Sequence, residues 1–206
     1  MSDDPKFTAV LAAIDAANEA DPFTITIDGI ERPKEQTHAE MMTEWVQRLD
    51  PSATDLQLIA ARAHHVRRWT ILRSEYPEGR NGYLRWRTAL KKVHAETVAE
   101  AMSAAGYEAA DIERVQAIVQ KKNLRSDPDV QTHEDALCLV FVATQFDELA
   151  SRFDRDKMID IVAKTLAKMS ERGIEAALGL DLSEADRDLI LAAAAAPKAQ
   201  PGSSSR

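Results

Sequence analysis

Residues 135–146, DALCLVFVATQF, are apolar on nearly every side of a 3.6-residue period. A helix of that kind has no face to offer to water and has to be wrapped by other elements. The chain is therefore expected to use it as a central buried helix, and the sequence on either side reads as the wrapping. Phe7, Val10, Leu11 and Ile14 recur at helical spacing and predict a first helix over about 5–20. His38, Met41, Met42, Trp45, Val46 and Leu49 mark a second, stopped by Asp50-Pro51. Ser52 or Thr54 caps a third carrying Leu56, Ile59, Ala60, Ala63 and Val66, with His64 and His65 in its C-terminal half. A fourth is expected over about 83–105 with Gly106 as its C-cap, and a fifth over 111–122. Asp127-Pro128 opens the apolar sixth. A further helix over 156–172 ends at Gly173, and Ser183 with Asp186 forms a capping box for an Ala-rich last helix.

Only FTITIDGIERPK is β-like, closed by Asp28-Gly29 and Pro33 as a small hairpin or irregular loop. With seven glycines in 206 residues and this succession of periodic segments, the expected fold is all-α: a compact bundle of about seven to eight helices. Its length suits one domain, 1–192, followed by a disordered tail at 193–206 that ends in KAQPGSSSR.

Charge is distributed unevenly. The chain carries −8, yet residues 62–94 hold nine Lys/Arg against Glu75 and Glu78, a local +7. Such a reversal focuses field on an anion. Arg67, Arg68, Arg73, Arg80, Arg85, Arg87, Lys91 and Lys92 supply it, and the excess of Arg over Lys favours a directed phosphate site, since guanidinium forks match phosphate oxygens bidentately. Gly79 and Gly82 would let backbone approach a ligand, and Tyr76, Tyr83 or Trp86 would stack on a base. The competing expectation is that many of these arginines pair with the acidic remainder of the fold.

Imidazoles and one carboxylate fall on separate expected core helices: His38, His64 or His65, His94 and Asp135. Each has apolar neighbours at helical spacing, so the side chains would point inward. A cluster of that composition holds a divalent metal, and N/O ligation suits Mn, Fe, Co, Ni or Zn better than Ca or Mg. The alternative for any one histidine is a hydrogen-bonded core residue. His133, at the start of its helix beside Glu134, reads as a surface residue.

The chain has no phosphate-cradling glycine loop, dinucleotide fingerprint, HExxH helix or paired-Cys zinc motif. Its lone Cys138 sits in an apolar run and reads as a small buried hydrophobe. The N-terminus lacks a secretory pattern, and no window approaches the ~20 apolar residues of a membrane span. A soluble, cytoplasmic setting is expected.

The segments ARAHHVRRW, YPEGRNGYLRWRTALKKVHAE, Gly106-Tyr107 and EDALCLVF resemble a family known as domain of unknown function 4202, over about residues 5–180. More distantly, His38, LIAARAHH, His94 and Asp135 follow the order of the HD superfamily of metal-dependent phosphohydrolases, with His65 standing where that superfamily usually has Asp. This second likeness implies an HD-like core over about 34–172. It also implies His38, His64 or His65, and Asp135 as metal ligands, with His94 nearby for metal or phosphate.

The expected function is metal-dependent hydrolysis of a nucleotide or other small phosphorylated metabolite. Asp135 and Arg68 would carry the chemistry, with Arg67, Arg80 and Arg87, and secondarily Lys91 and Lys92, holding phosphate. The alternatives are a non-catalytic nucleotide- or RNA-binding module and an interaction protein docking an acidic partner. No membrane partner is expected, and the sequence leaves the oligomeric state open.

Overall fold

In the computed structural model, which describes residues 4–27 and 29–195, Asp4 accepts the Lys6 N–H at 2.8 Å, so α1 (Pro5–Asn18) begins with a satisfied first turn. The hairpin follows. Its strands β1 (Thr24–Ile27) and β2 (Ile30–Pro33) pair antiparallel with Ile27 opposite Ile30. Pro33 gives α2 (Lys34–Leu49) no side-chain cap. Asp21 does that work from outside the helix: it accepts the N–H of Glu35 at 2.9 Å and that of Phe23 at 3.0 Å, while Lys34 N–H donates to the Phe23 carbonyl. The first turn of α2 is thus fixed by a buried carboxylate.

Thr54 and Gln57 form a capping box for α3 (Asp55–Arg62). The helix stops earlier than its apolar periodicity predicts. His64 and His65 lie in the turns beyond it, and Arg67 takes a left-handed backbone, φ +56°, before a short 3-10 turn at Arg68–Thr70. The next helix, α4 (Gly79–Ala104), begins four residues earlier than predicted, so Gly79 and Gly82 belong to its first turn and not to a ligand-approaching loop. A Cβ on Gly82 would overlap the Pro77 carbonyl, and Trp86 Nε1–H donates to the Ile71 carbonyl at 3.0 Å. Those two contacts hold the segment between α3 and α4 against the helix. Gly106, φ +79°, ends α4, with Tyr107 N–H closing back on Met102.

α5 (Ala109–Val119) packs on α3 and α4. Arg114 forks onto Asp127 and Asp129, tying α5 to the start of α6 (Pro128–Ala150). Phe7, Val10 and Ile14, Met42 and Val46, Ile59, Leu90 and Met102, and Val115 and Ile118 are buried on these helices. Each contributes about 1.5–3 kcal/mol.

The length of the chain predicts one domain, and contacts divide it into two compact units, the first ending at His133 and the second starting at Glu134, within α6. The second unit has its own apolar core from Val142 and Phe146 of α6, Met158, Val162 and Leu166 of α7 (Arg155–Leu166), and Leu189, Ile190 and Ala193 of α9 (Glu184–Ala195). Between them lies α8 (Glu171–Leu178), capped by Ser170. Gly173 does not end a helix, as its residue type predicts, but sits in the first turn of α8, donating its N–H to Ser170 Oγ. Ser183 and Asp186 cap α9 as expected. Of the tail expected at 193–206, residues 193–195 complete α9, and 196–206 lie outside the described residues. The fold is mainly all-α, and no described helix is long and apolar enough to cross a membrane.

Gly82→Ala tests how the segment before α4 is held. The added methyl meets backbone, which cannot rotate away, so we expect a loss of about 1–3 kcal/mol in chemical denaturation. An unchanged midpoint would contradict the close approach.

Candidate metal centre

α2 presents Glu35, His38, Ala39, Met42, Val46 and Leu49 on one buried stripe, at the i, i+3, i+4 spacing of a core-facing helix. Glu35 is thereby carried inside one turn ahead of His38. The turns after α3 bring His64 and His65 to the same place, and α4 adds His94. His65 Nδ1 lies 3.4 Å and His38 Nδ1 3.8 Å from Glu35 Oε2. The rings of His64 and His65 stack at 4.1 Å, and those of His65 and His94 lie 5.6 Å apart. His133 acts electrostatically on His64, so this is also where the last of the five histidines resides. It is buried, contrary to the surface position its helix start suggested.

The hydrogen-bond inventory constrains the protons. The Val66 carbonyl only accepts, so His94 Nδ1 must donate to it, at 2.8 Å, leaving Nε2 with its lone pair. Arg68 only donates, so His65 Nε2 accepts from its Nη1 at 3.3 Å. Neither nitrogen of the buried His64 has a hydrogen-bond partner, nor has Nδ1 of His133 or Oε2 of Glu35. Each such atom costs about 1–3 kcal/mol when left unmet.

Electrostatics sort the cluster into one anion and several neutral rings. Burial by itself would raise the Glu35 carboxyl, but the facing His38 ring and the charges of His64, Arg68 and His38 outweigh it and hold it below its ordinary 4.5. Burial pushes His64 and His65 well below 6.5; the like charge of His65 adds to this for His64, and that of Arg68 for His65. Burial also takes His94 down to about 4 and His133 to about 3. Lys121 adds its like charge at His65, His94 and His133. With 23% of its side chain in water, His65 is where the cluster opens to solvent.

Glu35, His64 and His65 each offer one ligand atom within 4.8 Å of the others. Two atoms bonded tetrahedrally to one ion at ~2.1 Å lie about 3.4 Å apart, so ligation requires the widest pair to close by about an ångström or slightly more. Neutral imidazoles with one carboxylate, and orphaned buried atoms on two of the three residues, form a donor set that fits a divalent transition metal.

The sequence-predicted residues divide as follows. His38, His64, His65, His94 and Arg68 come together. Asp135 lies in the second unit, where Ser170 N–H at 2.8 Å and Ser170 Oγ–H both bond its carboxylate. A Cβ on Gly173 would come within 2.7 Å of that carboxylate, which explains the glycine there. Within the first unit the carboxylate beside the histidines is Glu35, which sequence reasoning passed over although its i, i+3 relation to His38 was legible. Arg87 stacks over Tyr83. Lys91 donates to the Gln120 carbonyl, and Lys92 pairs with Glu96 on the surface of α4. Arg67 and Arg80 are exposed and have no ion pair among the described residues. Arg62, from the same basic segment, forks onto Asp15 and is structural.

Four lowered histidines make stability pH-dependent. Above their ordinary 6.5 both folded and unfolded states are neutral at these rings, and stability is complete. Below it the unfolded chain takes up protons that the folded one refuses until about 4 at His94 and about 3 at His133. Stability therefore falls with falling pH across that window, by about 1.4 kcal/mol per pH unit for each ring. Denaturation midpoints between pH 7.5 and 4.5 should drop steeply in wild type and less in His94→Asn. A flat profile would contradict neutral buried imidazoles.

No curated protein and no solved structure matches the chain. The HD-type likeness rests on residue order. A family model described as domain of unknown function (DUF4202) matches residues 8–190, and the chain belongs to that family.

Proposed function

We propose that this chain is a divalent-metal-dependent phosphohydrolase whose centre is built on Glu35, His64 and His65, with Arg68 as its anion-binding residue. One observation carries the reading: a buried carboxylate and two imidazoles offer ligand atoms within 4.8 Å, and neither nitrogen of the buried His64 makes a hydrogen bond. A divalent ion at such a centre supplies Lewis acidity toward a phosphoryl oxygen and acidifies water toward neutrality. The protein's own contribution is orientation and charge. Glu35 stays anionic and the rings stay neutral, which is the protonation state that ligation requires.

Arg68 is held in reach. Its Nη1 donates to His65, its Nε lies 3.7 Å from Glu35 Oε1, and its guanidinium rests 5.0 Å from the Trp86 ring centre. Those contacts use part of a five-donor fork and leave the remainder for phosphoryl oxygens.

The test uses protein stripped by chelator and reloaded with Mn, Fe, Co, Ni or Zn, assayed for metal stoichiometry and for phosphate release from a panel of nucleotides and sugar phosphates. We expect about one ion per chain and turnover with at least one metal. Glu35→Gln should lose the ion and the activity together, whereas Arg68→Ala should keep the ion and lower kcat/KM by about 10- to 1000-fold. Wild-type protein that retains no metal would overturn the reading, and metal without turnover across the panel would leave a binding module.

A further inference from the structure

Beyond Arg68 the basic segment contains a second feature that the metal centre does not use. Trp86 is pinned by its Nε1–H bond to Ile71, and Tyr83 tilts against it with ring centres 5.9 Å apart at 45°. Arg87, one turn along α4, donates to the Tyr83 hydroxyl at 3.3 Å and lies 5.8 Å from the centre of its ring. Arg68 stacks on Trp86 from the other side of the series. The order outward from Glu35 is thus guanidinium, indole, phenol, guanidinium.

Two details make this a binding surface and not a packed one. Tyr83 is 41% exposed although Trp86 tilts against its ring and Arg87 lies over it, so an aromatic ring reaches water beside a guanidinium. Arg87 has no ion pair among the described residues, and its contacts among them are with the Tyr83 ring and hydroxyl. Two guanidiniums on one series of rings, with a single carboxylate at its inner end, leave a net demand for an anion.

We infer that Tyr83, Trp86, Arg87 and Arg68 form a subsite for a nucleoside monophosphate, with the base stacked on Tyr83 and the phosphate between Arg87 and Arg68. A bare phosphate or a sugar phosphate would leave the exposed ring unused. A ring without phosphate would leave the paired guanidiniums unmet. A single exposed ring fits one base, which favours a mononucleotide over a strand. The inference rests on the phosphoester reading of the neighbouring centre and names its substrate class, but none of the four residues needs a metal to act.

For that reason the test is run in chelator, on the full chain, where failure of the metal reading has no effect. Calorimetric affinities are measured for adenosine 5′-monophosphate, ribose 5-phosphate, adenosine and a six-nucleotide adenylate strand. Base–aromatic stacking is strong enough that the mononucleotide should bind at least about tenfold more tightly than ribose 5-phosphate, and it should exceed adenosine by a similar factor. Tyr83→Leu should abolish the preference for the base and Tyr83→Phe should restore it, while Arg87→Ala should abolish the preference for the phosphate. Equal affinities for the mononucleotide and ribose 5-phosphate would overturn the inference. So would a Tyr83→Leu protein, folded by circular dichroism, that still prefers the base, or a strand bound more than tenfold more tightly than the mononucleotide.

Discussion

A buried carboxylate governs the first unit. Glu35 is withdrawn from water on the apolar stripe of α2, and an isolated carboxylate there would neutralise itself by taking a proton. It remains ionised because the His38 ring, His64 and Arg68 together outweigh the effect of burial. The geometry in turn depends on Asp21, which holds the Glu35 amide at the uncapped start of α2. One carboxylate positions the helix turn from which the other is presented.

Much else follows from that charge. The same burial that would raise Glu35 drives the surrounding imidazoles to their neutral form, so the cluster combines one negative donor with several neutral ones. Those rings leave buried nitrogens unmet, a cost of about 1–3 kcal/mol each. The apolar burial on α1 to α5 is large enough to sustain it, since each Val, Leu, Ile or Phe returns a comparable amount. Groups kept at such a cost in a well-packed region are where ligand chemistry concentrates. Arg68 extends the cluster outward onto Trp86, and the basic segment becomes a surface with a direction.

Helices and their ends were legible wherever capping chemistry and apolar spacing agree. Asp4-Pro5, Thr54 with Gln57, Gly106, and Ser183 with Asp186 all behave as their residue types predict. The errors occur where tertiary contact overrides local preference. Gly173 looks like a terminator but is required to be small beneath Asp135. The apolar period of α3 runs on through Ala63 and Val66, but the chain turns at residue 63 and delivers His64 and His65 from the turns and not from the helix. The gathering of histidines could be read from their apolar neighbours, but the Glu35 carboxylate among them could not be read in the same way. Asp135 has the more apolar surroundings, and its partner, Ser170, is 35 residues distant. Glu35 follows Pro33 and resembles an ordinary acidic first turn until its position on the stripe with His38 and Met42 is considered.

The central claim is that Glu35 and the neutral histidines around it bind a divalent transition metal. X-ray absorption on cobalt-loaded, desalted protein tests this most directly, because imidazole rings give outer-shell scattering that carboxylates and water do not. We expect one cobalt per chain with two or more imidazoles and at least one oxygen in its coordination sphere, and loss of the ion in Glu35→Gln. Protein that releases cobalt on desalting, or retains it with oxygen ligands alone, would contradict the account.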